Sequence, residues 1–431
     1  MKEPSISRLI LVSFLIIFGA CGGSYSGIDN SSEPKTTSTS ELLVPGQTPL
    51  PGSIKGVQFF RKNYPGSPPI IRLGTADRLS LKFDELSSVG GRFRVRITHH
   101  NKDWSPSGLA DVWVFEHSSE SDFGGGELNQ NERPNFFSYS YEFPNRELKF
   151  LVSGNYLIHI YDFQSDTELF SLPFFITENE GELQPDVETI FNAGPFGAAM
   201  HELSGRYRIP DLVEFPQFDL SYRLAQNRFW GSDKTPQESS YTGQDFTTFR
   251  TTRNQLFAGY QEFYSLDLRN LSTQNGQIFG IERAEVPQKV ILQPDYFNFS
   301  SDVRTITETG FGRPLQTREA AYLNVLFRYE TQGEISRNAQ VFLIGDFNQW
   351  TVSKRYELEV NPASGFMEVS ALIKQGIYNY RYVLFEDGEI KPLRNLESLA
   401  QKPQEYAAFV YYRDPQQQYD RLLNTRIFYS E

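Results

Sequence analysis

Val341-Phe342-Leu343-Ile344-Gly345-Asp346-Phe347-Asn348-Gln349-Trp350 and, further on, Lys374-Gln375-Gly376-Ile377-Tyr378-Asn379-Tyr380-Arg381-Tyr382-Val383 decide the fold. The first is an apolar strand that breaks at a turn rich in Gly, Asp and Asn, with Trp350 folding back over the sheet. The second starts at Gly376 and places Tyr378, Tyr380 and Tyr382 on one face, because strand side chains alternate. A sheet with such an apolar face needs a second sheet to cover it, so the stretch predicts a β-sandwich.

Upstream, residues 54–178 read as strand after strand: Ile54–Phe60, Leu79–Phe83, Arg92–His99, Phe136–Phe143, Tyr156–Phe163 and Leu169–Ile176. Phe93, Val95 and Ile97 alternate with Arg92, Arg94 and Arg96, a pattern with one buried and one wet face. Short strands at this spacing predict an Ig-like sandwich. Gly124 to Pro134 reads as a mobile loop, and the acidic stretch Glu178–Asp186 as a hinge. Residues 185–318 are expected to form a middle β-rich domain, with strands at Phe218–Leu224 and Gln277–Glu282. Residues 319–431 are expected to form the last sandwich, from the strand Ala321–Tyr329 to the strand Tyr406–Tyr412.

The bulk numbers agree with an all-β chain of several domains. The 431 residues exceed what one core serves, and 15% aromatic residues with 24 Pro and 32 Gly favour strands and turns. The net charge of −12 argues against a nucleic-acid partner, which needs a clustered cationic face. Cys21 is the one cysteine, so an intrachain disulfide and a multi-Cys zinc site are excluded. His99 and His100 are strand neighbours that point to opposite faces and do not suit one metal. No HExxH, P-loop or GxSxG pattern occurs. No catalytic, metal or cofactor residue is therefore assigned.

The N-terminus reads as a targeting signal. Lys2 and Arg8 precede the apolar run Leu9–Phe18, which is too short to span a bilayer. Phe18-Gly19-Ala20-Cys21 resembles the bacterial lipobox, which implies cleavage after residue 20 and lipid attachment at Cys21. Residues 21–53 follow as a flexible linker dominated by Gly, Ser, Thr and Pro. The expected location is the outer membrane, by a lipid anchor, on the periplasmic face, with exposure at the outer surface as the alternative.

Four segments stand out along the chain: His99-His100-Asn101-Lys102-Asp103-Trp104, Ser153-Gly154-Asn155-Tyr156, Asn254-Gln255-Leu256-Phe257-Ala258-Gly259-Tyr260-Gln261-Glu262-Phe263, and the Gly345–Trp350 turn with its Tyr strand. Read locally, the first is a strand end and a turn capped by Asp103 and covered by Trp104. An acid–base pair of His100 and Asp103 is the functional alternative. In the third, Glu262 and Asp267 need cationic partners such as Arg269 or Arg253 if buried. The Gly345–Trp350 turn is similar to that of the Ig-like modules accompanying starch- and glycogen-acting enzymes, so the last sandwich resembles a glycogen-binding-type E-set domain.

Taken in order, the four segments resemble the plug protein family of the Bacteroidetes type IX secretion system, with His100 where a Cys is expected. The resemblance implies an all-β, non-catalytic protein whose partner is an outer-membrane translocon β-barrel. It would bind the periplasmic mouth of that barrel and occlude the idle channel. No interface residue is carried over. The alternative is a glycan-binding lipoprotein that takes a polysaccharide on the Tyr378, Tyr380 and Tyr382 face.

Overall fold

The strand Phe93–His100 shows how the alternation is used. Phe93, Val95 and Ile97 are buried. On the opposite face, Arg94 Nε meets Asp122 at 3.2 Å and Arg96 Nε meets Glu120 at 2.6 Å. The structure is a computed structural model that describes residues 43–129, 134–242, 245–296, 303–305, 307, 310–315, 320–330, 340–386, 389–393 and 401–431. Cys21 and the targeting segment lie outside the described residues.

Among the described residues, three two-sheet sandwiches account for the strands. In the first, one sheet runs in the order Ile54–Arg61, Leu79–Glu85, Phe136–Phe143, Glu127–Asn129. The other runs Ile70–Arg72, Glu168–Thr177, Gly154–Asp162, Phe93–His100, Glu120–Phe123, antiparallel except for its first pair. Aromatic rings interlock between them; Phe83 lies 5.2 Å from Phe93 and 5.4 Å from Phe170. Each such buried ring contributes about 2–3 kcal/mol of transfer free energy. The strands expected in this region are all present, with ends displaced by one or two residues. Part of the expected loop is ordered, because Glu127–Asn129 pairs with Phe136–Ser138. Residues 130–133 of that loop lie outside the described residues.

The second and third sandwiches are not consecutive in the chain. One sheet of the second contains Glu182–Ile190, Met200–Arg208, Phe246–Arg250 and Glu238–Thr242, with Phe257–Ala258 added to Met200 and His201. Its facing sheet contains Leu220–Gln226, Glu405–Arg413 and Asp420–Tyr429. The third sandwich is assembled from residues between these two parts. Gly376–Glu386 pairs with Phe263–Asp267, Gln340–Gly345 and Arg313–Pro314 in one sheet. Ile278–Glu282, Lys289–Leu292, Tyr322–Glu330 and Met367–Lys374 form the other. All three sandwiches belong to one compact unit.

The multi-sandwich, all-β expectation holds, but its inner boundaries are redrawn. Sheet pairing crosses the division expected near residue 318, and Tyr406–Tyr412 completes the second sandwich instead of the third. The physical reason is legible in the strand Glu405–Arg413, which is buried on both faces. Tyr406, Ala408 and Val410 face the second sandwich's own core. Ala407, Phe409 and Tyr411 face a cluster shared with the first sandwich. A strand apolar on both sides needs cover on both sides, and only the middle position supplies it.

Two further expectations are corrected. The hinge at 178–186 is rigid: Glu182 onward is paired with Met200–Arg208 along its whole length, and Glu178 is tied to Arg421. The linker ends before residue 53. Val44 is buried against the first and second sandwiches, and Thr48 exchanges hydrogen bonds with Ser171 at 2.7 and 3.0 Å. Phe218–Leu224 is split into a short helix at Pro216–Asp219 and a strand from Leu220.

Candidate functional site

All four of the singled-out segments sit where one sandwich meets another. In His99–Trp104, the backbone of Trp104 takes a left-handed φ of 66°. The ring packs on the outer face of its own sandwich, 5.6 Å from Phe175, edge to face, within an apolar cluster shared with the second sandwich. Phe175 in turn lies 5.1 Å from Trp230 and 4.8 Å from Phe409 of the second sandwich. Asp103 caps the turn by accepting from Ser105 N at 3.0 Å and Ser105 Oγ at 2.6 Å. These two donors hold its carboxyl below the ordinary Asp range.

His100 does not face Asp103. Its Nδ1 is 2.8 Å from the Trp104 carbonyl and its Nε2 is 2.8 Å from Thr98 Oγ1, so the acid–base pair does not form. His99, on the other face, is buried with Nε2 3.1 Å from the Ser153 carbonyl. Burial pushes its pKa down to about 4, so the ring is neutral at pH 7.

Ser153–Tyr156 continues the same junction. Ser153 Oγ donates to Glu178 Oε1 at 2.6 Å and accepts from Leu422 N at 3.0 Å. Glu178 binds Arg421 through two bonds of 2.8 and 2.6 Å. Asn155 Oδ1 accepts the Tyr411 hydroxyl at 2.7 Å. These are charge-assisted or fully buried contacts, the class that contributes most per bond.

Asn254–Phe263 is the crossing from the second sandwich to the third. Gly259 N donates to the Ala199 carbonyl at 3.0 Å, and a Cβ at this position would lie 2.7 Å from His201 Nε2. Only glycine lets the chain pass so close. Phe263 then inserts 4.8 Å from Trp350. Asp267 pairs with Arg269 at 2.6 Å, one of the expected partners, whereas Glu262 pairs with Lys402 at 3.0 Å and not with an Arg.

At the Gly345–Trp350 turn, Asn348 Oδ1 accepts from Gly345 N at 2.9 Å and its Nδ2 donates to the Leu343 carbonyl at 3.1 Å. Asp346 accepts from Trp350 Nε1, Asn379 N and Asn379 Nδ2 at 3.1, 2.7 and 2.9 Å. Burial outweighs these donors and pushes its pKa up to about 6. Trp350 is buried between Phe263 and Phe229, which belong to the third and second sandwiches. Phe347 packs against the third core.

Tyr378, Tyr380 and Tyr382 are 3%, 4% and 1% exposed. Their hydroxyls bond the Lys374 carbonyl and, for the last two, Asp295 Oδ2. This face is core and offers no surface on which a sugar could stack, which corrects the proposed polysaccharide face.

Three ion pairs that motif reading missed complete the junctions. Lys374 Nζ binds Asp84 Oδ2 at 2.8 Å between the third and first sandwiches, and Asp84 also accepts from Tyr322 and Ser138 at 2.8 and 2.6 Å. Glu178–Arg421 joins the first to the second. Arg228 binds Glu405 at 2.7 and 3.1 Å, donates to the Gly66 carbonyl at 2.8 Å and stacks 3.9 Å from the Phe311 ring. One guanidinium thus touches all three bodies. The available signal was a charged residue inside an apolar strand, as at Asp84 and Lys374. What the arrangement does chemically is hold three sandwiches in one fixed relation. Among the described residues, no helix is long and apolar enough to cross a membrane.

Comparison with known proteins bears on this arrangement. Residues 54–178 match the family model "Type 9 secretion system plug protein 1st domain". A crystal structure of a hypothetical protein from Parabacteroides merdae is similar over 89% of this chain and 99% of its own, with 21% identity and a TM-score of 0.76. That likeness extends the shared fold well beyond the first sandwich. The C-terminal domain of BspA from Streptococcus agalactiae aligns over 87% of this chain and 99% of its own at 8% identity, but its TM-score of 0.17 carries no argument. No curated relative matches.

Proposed function

We propose, from the match of residues 54–178 to the type 9 secretion system plug protein family, that this is a non-catalytic envelope protein that occludes a secretion channel. In this reading it binds the periplasmic mouth of an outer-membrane translocon barrel and blocks the idle pore. Lipid on Cys21 would hold it at the membrane and raise its effective concentration at the barrel. The observation that carries the proposal is the family match over the first sandwich. The locked junctions add physical support, because a stopper must keep its shape under load. Three bodies joined by buried rings and ion pairs resist relative motion better than three beads on flexible linkers.

The test is a pull-down of the full-length, lipidated protein from detergent-solubilised native outer membrane, with mass spectrometry of what accompanies it. A large barrel in stoichiometric amount is the expected result, together with a leakier outer membrane in the deletion strain. Recovery of the lipoprotein alone, with no change in permeability on deletion, rules the proposal out.

A further inference from the structure

Where the three sandwiches converge, they enclose a cleft of about 210 Å³, lined from the first sandwich by Lys55, Val57 and Phe59 and from the others by Arg228, Phe311 and Arg313. Within a chain of net charge −12, its rim carries several cations. Its one carboxylate, Asp346, is occupied by the donors of its own turn. Arg228 is spent on Glu405. Lys55 is different. It is 6% exposed; its ammonium bonds the Tyr356 hydroxyl at 3.2 Å and lies 5.9 Å from the centre of that ring, and among the described residues no carboxylate is in ion-pair range.

A buried ammonium without a counter-ion is costly, and lysine is seldom buried unless paired. The backbone is shaped to put it there. The edge strand Ile54–Arg61 has an irregularity between Lys55 and Gln58. Gly56 sits there at a φ of +59°, where a Cβ would lie 3.1 Å from Asp84 Oδ2. Bulges of this kind re-aim a side chain and are common beside functional sites. The remaining wall is mixed, with Leu50, Val57, Phe59 and Phe311 half-buried around it and Gln47, Gln58 and Gln349 beside them.

We infer that this cleft is a binding site for a carboxylate carried on a small apolar body, with Lys55 as the counter-ion and the half-buried side chains around the body. The volume exceeds that of a cavity of about 150 Å³ that takes benzene, and fits a ligand of roughly one amino-acid residue. Two sources share that chemistry, a free acylated amino acid and the carboxyl end of a peptide. Because all three sandwiches line the cleft, the ligand braces their junction. The inference stands apart from the role proposed in secretion and is tested without it.

The probe is N-acetyl-phenylalanine against its primary amide, titrated calorimetrically into the purified full chain. Saturable binding of the acid, at least about tenfold tighter than the amide, with a rise in melting temperature, is expected. K55M should lose that binding while its ligand-free melting temperature is unchanged or higher, because a buried unpaired charge has gone. A lysine with a merely structural role would give a lower melting temperature instead. A longer peptide ending in free phenylalanine that binds more tightly identifies a chain end as the source, and equal binding identifies the free acid; both support the site. Equal binding of acid and amide, binding of neither, or inorganic phosphate binding as tightly as the acid overturns it. The acid–amide comparison uses the wild type and decides the matter even if K55M fails to fold.

Discussion

Asp84 and Lys374, 290 positions apart, meet at 2.8 Å with 6% and 5% of their side chains exposed. This pair is the polar centre of the contact between the first and third sandwiches. Phe136 packs against both Lys374 and Tyr322 there, at 4.8 and 5.0 Å. Removing one partner leaves the other charge buried. K374M should therefore destabilise by about 3–5 kcal/mol, whereas the double replacement D84N/K374M should recover a large part of the loss. Urea unfolding monitored by Trp fluorescence checks both, read probe by probe because a multi-sandwich chain need not unfold in one step.

Trp104 backs Phe175 in the apolar cluster that the first and second sandwiches share. Replacing it with Ala should cost about 3–5 kcal/mol, concentrated at that junction. Hydrogen exchange should rise in Glu405–Arg413 and Asp420–Tyr429 while the first core stays protected. Uniform loss of protection would refute the assignment of Trp104 to the junction.

Gly154 has a φ of +145° and stands against the His99 ring, where an added Cβ would overlap Nε2. G154A should push His99 away from the Ser153 carbonyl and lower stability by about 1–3 kcal/mol. A thermal melt with no shift would contradict the packing described.

Acid should weaken the protein. His99 has its pKa lowered from 6.5 to about 4 by burial, and His201 is shifted in the same direction by the same cause. A lowered histidine pKa means that the unfolded chain binds more protons between pH 6.5 and 4. That contribution is complete above pH 6.5 and is lost as pH falls through the window, about 3 kcal/mol for His99. Asp346, raised to about 6, works the other way: its burial as a carboxylate costs stability above pH 6, and protonation relieves it on acidification. His100 is lowered by burial as well, and Asp233 is raised by burial as Asp346 is, so three histidines against two aspartates predict a net fall in the urea midpoint between pH 7 and 4.5. H99Q should flatten the dependence, and D346N should steepen it.

Lipid attachment at Cys21 predicts that C21S moves the protein from the detergent phase to the aqueous phase in a phase-partition assay. Unchanged partitioning would remove the anchor from the proposed function.

Much of the first sandwich was legible because its strands alternate: a period of two in Phe93–Ile97 or Phe136–Phe143 encodes both the strand and its buried face without reference to any partner. The tyrosine strand was legible for the same reason, and the Gly345–Trp350 turn, with Trp350 folding back over the sheet, from its Gly, Asp and Asn. Local chemistry by itself therefore determined an all-β chain of sandwiches and the motifs that carry the family resemblance. Tertiary structure alone decided which sandwich the last strands complete, since Glu405–Arg413 is apolar on both faces and periodicity cannot choose its neighbours. It also decided that the motifs are junctions, and that Glu178 finds Arg421 and Asp84 finds Lys374. A charge inside an apolar strand announces that it needs a partner, but the partner is chosen by the packing of sheets hundreds of residues apart. No local pattern carries that information.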